Sequence, residues 1–386
     1  MDEKYSISPR LKYIAVIFIL IGIVTVIFGL YFESEITWAN LLLNNYYFIN
    51  IAIGATFFYA IQYATQSGWS AQFMRVPLAF SNYLTYAGVL ILFLYFGMNY
   101  LYHWSLPDAG LHDAVIEHKT PYLNIPFFFI RLIIFFALWI IMTRLLIWAS
   151  KKEDQLGGMK YFHKSEFYSK VYIFILALTF SLITFDLIMS IDVHWFSTIF
   201  AVKNFVSGFY HAVAIIVLII IILNQHGFFD NLNKSHLRSF SNYIFILSLI
   251  WGYLWFMQFL VIWFANIHEE TIYYITRTQG KWAIFFYLNI ILNWAIPFMA
   301  LLSGKLKESK PVIIFVCIIL IIGQWVDLYL QIMPGTVGES GIGIVEIGTF
   351  VGYAGLFVLV IAWSLSRIPL IPKNHPYLKE SMNHKQ

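Results

Sequence analysis

The chain has 386 residues, of which 60% are hydrophobic and 11% are charged, with a formal net charge of +4. Soluble domains carry roughly a quarter charged residues, so this composition excludes a sizeable soluble domain and is typical of an integral membrane protein. The single cysteine, Cys317, excludes an intrachain disulfide, a C-x-x-C-H haem attachment and a cysteine-bound iron–sulfur cluster.

Apolar runs long enough to cross a bilayer, which takes about 20 residues of helix, recur along the whole chain. They predict an all-α integral membrane protein with about ten transmembrane helices in a single domain, 1–386. The first run is too long for a signal peptide, so we expect it to be retained. Residues 70–81 are predicted to form a small interfacial helix. The predicted spans are Leu11–Phe32, Leu41–Thr65, Tyr83–His103, Pro126–Ala149, Lys170–Ile191, Phe196–Asn224, Asn242–Asn266, Trp282–Leu302, Val312–Met333 and Glu346–Leu365.

Spans five and nine contain a short internal repeat. Span five ends in TFDLIMSI and span nine ends in WVDLYLQI, which places Asp186 and Asp327 at matching depths in helices that point the same way. The repeat predicts one four-helix bundle over 41–191 and a second over 196–333. The remaining segments are the flanking helices 11–32 and 346–365 and a tail, 366–386.

Basic residues in the linkers predict the orientation. By the positive-inside rule, both termini and the tail lie in the cytoplasm, and the DVHWF loop after span five lies outside. The cytoplasmic set is Lys4, Arg10, Lys12, Arg75, Lys151, Lys152, Lys160, Lys164, Lys234, Arg238, Lys305, Lys307, Lys310, Arg367, Lys373, Lys379 and Lys385. The opposite linkers hold only Lys119, Arg277 and Lys281.

Polar and ionisable groups in or beside the spans are the candidate functional residues. A charge in hydrocarbon costs about 3 kcal/mol on insertion scales, so such groups usually face a bundle interior or water. We expect Asp186 and Lys203 to pair at one corner, whereas Arg131 and Arg144 are expected to extend towards the interface. The alternative is that these groups are ion pairs that only fix helix packing. The candidates for a proton path are Asp186, Asp192, His194, Lys203, Ser207, Tyr210, His211, Asp327 and Glu346.

Ligand patterns for a cofactor are missing from the sequence. Of eleven histidines, only His211 lies deep in a predicted span, which argues against an intramembrane bis-histidine haem. The sequence also lacks a phosphate-binding loop and a metal-ligand cluster. The basic residues are scattered over linkers, which argues against nucleic-acid binding. We therefore expect no cofactor bound covalently or through a metal ligand.

Four stretches carry a resemblance to a known family: DVHWFSTIF, NIHEETIYYITR, DLYLQIMP and PLIPKNHPYLKES. The chain resembles the NrfD-like membrane proteins, which include the membrane subunit of polysulfide reductase. Among them it resembles the ActF family, the smaller of the two large membrane subunits of alternative complex III. That complex is a bacterial quinol:cytochrome c oxidoreductase of the respiratory chain. The resemblance covers nearly the whole chain, and DxHWFST is its most specific part.

The resemblance implies ten helices in two four-helix bundles, placed in the bacterial inner membrane. It implies a complex with a sister NrfD-like membrane subunit, an iron–sulfur subunit and c-type cytochrome subunits, with lipids and a terminal oxidase as further neighbours. The chain would then support electron transport from a quinol such as menaquinol, and proton translocation, without a redox cofactor of its own. It assigns no quinone-binding residue here. Two alternatives stay open: an independent secondary transporter and a purely structural membrane scaffold.

Overall fold

The computed structural model describes residues 5–338 and 341–385, apart from the side chain of His112; Lys4, which the orientation argument used, lies outside them. Within these residues the protein is all-α, with ten helices long and apolar enough to cross a membrane. The predicted fold class is confirmed: this is a multi-pass membrane protein. The helices are α1 Pro9–Phe32, α2 Ser34–Ala64, α3 Ala71–Leu101, α4 Ile125–Leu156, α5 Met159–Ile191, α6 Thr198–Gln225, α7 Lys234–Ala265, α8 Trp282–Ala300, α9 Lys310–Thr336 and α10 Ile344–Ser366.

Several helices begin where local chemistry favours a helix start. Pro9, Pro126 and Pro311 lie in the first turns of α1, α4 and α9. Backbone N–H groups in a first turn have no partner within the helix, so proline loses no hydrogen bond there. The side chain of Asn124 accepts from the N–H of Phe127 at 3.0 Å, which caps α4. Asn233 caps α7 in the same way. These prolines and capping residues lie close to the starts of apolar runs, so hydropathy and capping indicate the same helix boundaries.

Helix α2 lies at the centre of the protein. Its most apolar stretch is 94% buried, whereas that of α1 is only 22% buried. Helix α2 packs against α5 of the first predicted bundle and also against α6 and α9 of the second. Helices α1 and α10 pack on each other so closely that a Cβ on Gly22 would lie 2.4 Å from the Cα of Gly352. The division into two bundles over 41–191 and 196–333 stays a prediction.

Two long helices contain irregular turns. Helix α3 narrows to a 3₁₀ turn at Phe93–Gly97, and α8 widens to a π-helical turn at Ile291–Ala295. The predicted interfacial helix at 70–81 is wrong, because this segment is buried and forms the start of α3. It packs under α2, α10 and the short tail helix Leu378–Met382, which together remove it from any interface.

The segments that connect the helices lie on two faces of the helix array. On one, here called the tail face, Asn374 donates to the carbonyl of Asp154 and Ser381 donates to that of Trp69. On the other, the vestibule face, Lys119 donates to the carbonyl of Val193. The linker between spans seven and eight, which holds Arg277, contains a helix, His268–Thr278, on the vestibule face.

Candidate functional site

The buried lysine of α6 pairs with α9 rather than with α5. Lys203 Nζ lies 2.6 Å and 2.5 Å from the two carboxylate oxygens of Asp327. Lys203 is 4% exposed and Asp327 is 2% exposed. The predicted pair between Lys203 and Asp186 is therefore wrong, because α6 turns this face towards α9. A paired and hydrogen-bonded charge is what low-dielectric surroundings tolerate.

Neutral donors complete the shell around the Asp327 carboxylate. Asn289 of α8 donates to Oδ1 at 2.9 Å, and Gln331 donates to Oδ2 at 3.0 Å from one turn along α9. The Ser207 hydroxyl lies 3.5 Å from Oδ2 and accepts from the indole of Trp251 at 2.8 Å. Side chains of α6, α8 and α9 thus surround one carboxylate, and α7 is joined to it through Ser207.

The same network continues towards the π-helical turn of α8. Asn293 donates to Oδ1 of Asn289 at 2.7 Å and to the carbonyl of Gly323 at 2.8 Å. Gln324 donates to Asn293 Oδ1 at 2.9 Å, and the hydroxyl of Tyr210 donates to the Asn293 carbonyl at 3.3 Å. Pro297, four residues after Asn293, has no N–H to donate to that carbonyl, and Tyr210 of α6 takes its place.

Arg277 lies between this network and the vestibule face. It comes from the helix His268–Thr278 and is 3% exposed. Its guanidinium donates to Asp192 at 2.9 Å and to the Gln331 carbonyl at 3.1 Å. It also donates to the carbonyls of Leu330 and Tyr273, and it lies 3.4 Å from the centre of the Tyr273 ring. Arg277 is therefore a fixed link between Asp192 and the end of α9.

Two cavities lie on either side of Arg277, and both are lined by Arg277 and Tyr273. The inner one, about 30 Å³, borders Lys203 and Asp327. The outer one, about 480 Å³, is the vestibule and borders His103, Asp192, His194 and Glu269. A polar cavity needs only about 10–15 Å³ of such volume to hold a water molecule, so the inner cavity has room for one.

Asp186 forms a second and separate ion pair. Arg131 Nε and Nη2 donate to its two carboxylate oxygens at 2.8 Å and 3.0 Å. The guanidinium lies 3.9 Å from the Tyr122 ring centre and 4.3 Å from that of Phe127. Arg131 is 6% exposed, so the prediction that it reaches the interface is wrong. Arg144, by contrast, is exposed and donates to Asn82.

His194 belongs to the outer rim of the vestibule. Its Nε2 lies 2.7 Å from Oδ2 of Asp113, and its side chain is 60% exposed. Desolvation alone would raise the pKa of Asp113, but hydrogen bonds from the N–H groups of Ile116 and Val115, with the neighbouring His194, outweigh it and lower that pKa. The pair thus keeps a carboxylate at the mouth of the vestibule.

Two other candidates have contacts of a different kind. Glu346 accepts from the N–H of Gly343 at 2.8 Å and from the Asn40 amide at 3.1 Å. It therefore caps α10 and fixes it to α2. His211 packs with its ring centre 4.4 Å from that of Tyr47. Its Nε2 has no hydrogen-bond partner among the residues that the structure describes.

The structure thus brings together only part of the predicted set. The members of one network are Lys203, Ser207, Tyr210 and Asp327, with Asp192 joined through Arg277. The members outside it are Asp186, His194, His211 and Glu346. Sequence reasoning missed Asn289, Asn293 and the role of Arg277. A usable signal existed for Arg277, because Tyr273 and Arg277 are spaced i, i+4 in NIHEETIYYITR and share a helix face.

The arrangement has the chemistry of proton transfer. A carboxylate, a lysine and a cavity with room for water lie within hydrogen-bond reach of one another. No group of three or more His, Cys, Asp or Glu that could hold a metal occurs in residues 5–338 and 341–385. The chain matches no family model, and no curated protein matches it in sequence.

Proposed function

We propose that this chain is a membrane subunit of a bacterial quinol:cytochrome c oxidoreductase of the alternative complex III type. Its α6–α9 region would move protons between the Lys203–Asp327 pair and the vestibule. The observation that carries the proton role is the row of polar contacts between Asp327 and Asp192: the Gln331 amide donates to Asp327, and Arg277 donates both to the Gln331 backbone carbonyl and to Asp192. The respiratory assignment is supported by the resemblance of DVHWFSTIF and NIHEETIYYITR to the ActF family.

Each residue along this row of contacts has a distinct part. A quinol releases protons as it loses electrons, and a carboxylate at hydrogen-bond distance can accept one. When Asp327 takes up a proton, its bond to Lys203 weakens and the lysine keeps the remaining charge. Arg277 does not give up its own proton, because guanidinium groups stay charged in proteins. It therefore acts as an electrostatic barrier, and a proton passes it through water to Asp192.

We further propose that the chain lies in the bacterial inner membrane with its tail face in the cytoplasm. Reporters fused after Ser309 and at the C-terminus should both score cytoplasmic, because basic linkers resist translocation. A reporter fused after Gly338 should score external. Activity of paired phosphatase and fluorescent-protein fusions in intact cells measures this. A cytoplasmic score after Gly338 would rule out the orientation.

The respiratory assignment is tested by what the tagged chain brings with it. Purified from native membranes in mild detergent, it should carry a sister membrane subunit, an iron–sulfur subunit and c-type cytochromes. Reduced-minus-oxidised spectra should show c-type haem in the complex, and the separated subunit should show no haem band. Recovery of the chain as a homogeneous protein free of cytochromes would contradict the proposal.

A transporter is the second candidate, and the π-helical turn in α8 favours it. Transporters build substrate sites at interrupted helices near the middle of the membrane, and this turn contains the buried Asn293. The purified chain in proteoliposomes would then take up solute in response to a proton gradient.

A scaffold role is favoured by the Arg131–Asp186 pair and by the Glu346 cap, because the contacts of these residues hold neighbouring helices together.

A further inference from the structure

A groove along the outer surface of α7 shares no residue with the vestibule or with the cavity beside Asp327. It has a volume of about 390 Å³, and Phe209 of α6 and Trp69 form its other walls. These α7 residues line it at positions i, i+3, i+4, i+7, i+8 and i+11, so they form one stripe along a single face of the helix. They are Ser239, Asn242, Tyr243, Ile246, Leu247 and Ile250.

The stripe changes from polar to apolar along its length. Its polar end lies beside the tail face, because the Ser239 hydroxyl is 3.2 Å from Nε2 of His384 and the carbonyl of Trp69 accepts from Ser381. The helix rises about 16 Å from Ser239 to Ile250. Since the hydrocarbon core of a bilayer is about 30 Å thick, the groove has the depth of one leaflet.

The apolar end of the groove is open to the surroundings of the helix array. Ile246 is 52% exposed and Ile250 is 39% exposed. The most apolar stretch of α7 is only 28% buried, so this helix lies at the periphery with much of its surface towards lipid. An acyl chain in a groove gains dispersion contacts on more than one side, which a convex helix surface does not offer. The apolar end therefore fits one acyl chain.

Positive charge lies at the polar end of the groove. Lys307, in the linker between α8 and α9, donates to Oδ1 of Asn242 at 2.9 Å and lies 4.2 Å from the centre of the Phe245 ring. The neighbouring Arg238 pairs with Glu308 at 2.5 Å. Burial, followed by the charge of Arg238, lowers the pKa of Lys307. Both effects disfavour the ammonium charge, and an anion beside Lys307 would offset them.

We propose that this groove binds one phospholipid with an anionic headgroup from the leaflet on the tail face. The phosphate lies against Lys307 at the polar end of the stripe, and one acyl chain lies along Ile246 and Ile250. Basic pockets between transmembrane helices bind anionic headgroups in this way. The excess of positive charge selects an anionic lipid over a zwitterionic one with the same chains. The inference goes beyond the proposed function and does not rest on it, because it needs only that α7 crosses a membrane.

Native mass spectrometry of the purified full chain, titrated with phosphatidylglycerol in detergent, tests the headgroup site. The chain should bind one phosphatidylglycerol more tightly than phosphatidylcholine with the same acyl chains. Lys307→Gln should weaken phosphatidylglycerol binding about fivefold, the typical effect of one basic residue near a membrane surface. The matched control, Lys305→Gln, removes the same charge from the same linker and should leave the affinity unchanged. Equal affinity for the two lipids, or equal losses in the two variants, would overturn the proposal.

A second pair of variants tests the acyl-chain site and covers the case in which Lys307→Gln does not fold. Ile250→Trp fills the apolar end of the groove. Leu249→Trp adds similar bulk at a position that is 40% exposed and does not line the groove. Ile250→Trp should weaken binding of both lipids and Leu249→Trp should change neither, so the same affinity in both variants would contradict the proposal. None of these measurements uses quinol turnover, so the result is independent of whether the respiratory proposal holds.

Discussion

Replacing Asp327 with asparagine should abolish proton release during quinol turnover and strongly destabilise the subunit. The change leaves Lys203 buried without its anion, and removing one partner of a buried pair costs about 3–5 kcal/mol. Adding Lys203→Met removes the unpaired charge and should restore assembly. The double variant should still release no protons, because the side chains of Asn289 and Gln331 then have no carboxylate between them in the structure. Thermal unfolding and a pH-indicator assay in liposomes measure the two effects separately.

The double variant decides between a proton path and a structural pair. If Lys203 and Asp327 only hold α6 against α9, Asp327→Asn with Lys203→Met should assemble and work normally. Full turnover with normal proton release in that variant would end the proton-path proposal for these helices. Assembly without proton release would support it, and would show that the loss does not come from misfolding.

Replacing Arg131 with methionine should destabilise the subunit by about 3–5 kcal/mol, because it leaves the fully buried Asp186 carboxylate without its cation. Combining it with Asp186→Asn should restore both assembly and full proton release. The physical reason is that this pair lines neither cavity of the Asp327 site, and its guanidinium packs against the rings of Tyr122 and Phe127. Thermal unfolding of the single and double variants gives the stability change.

This pair also serves as the matched control for the Asp327 experiment. Both pairs join a buried carboxylate to a cation on a neighbouring helix, and both carboxylates come from the same D-L repeat. Only the pair beside the inner cavity should affect proton release when both partners are neutralised. An assembled Arg131→Met, Asp186→Asn variant that has lost proton release would bring Asp186 back into the path.

The sequence by itself determined the class of the protein and the number of its long helices. Hydropathy is a local property of the sequence, so it locates long helices closely. Span six was predicted at Phe196–Asn224, and the helix is Thr198–Gln225. Lys203, Ser207, Tyr210 and His211 are spaced i, i+4, i+7 and i+8, which places them on one face of a helix that repeats every 3.6 residues. Both aspartates of the repeat in spans five and nine are buried, Asp186 near the end of α5 and Asp327 further inside α9.

Charges at the ends of the spans were harder to interpret. Arg277 and Glu153 lie close to linkers, where sequence patterns indicate solvated groups. The structure buries both, Arg277 against the end of α9 and Glu153 beneath the tail. Their burial depends on segments that fold back over the helix ends, and hydropathy averaged along the chain does not report such contacts.

The choice of ion-pair partners was decided only by the tertiary structure. Asp186 binds a cation 55 residues away and Asp327 binds one 124 residues away, although the two aspartates begin the same dipeptide. Which partner each one meets depends on the rotation of every helix about its own axis. That rotation is set by packing among helices distant in sequence, through contacts such as Gly22 on Gly352 and the irregular turn of α8. Spacing within one helix identifies a polar face, but it leaves open which neighbour that face will meet.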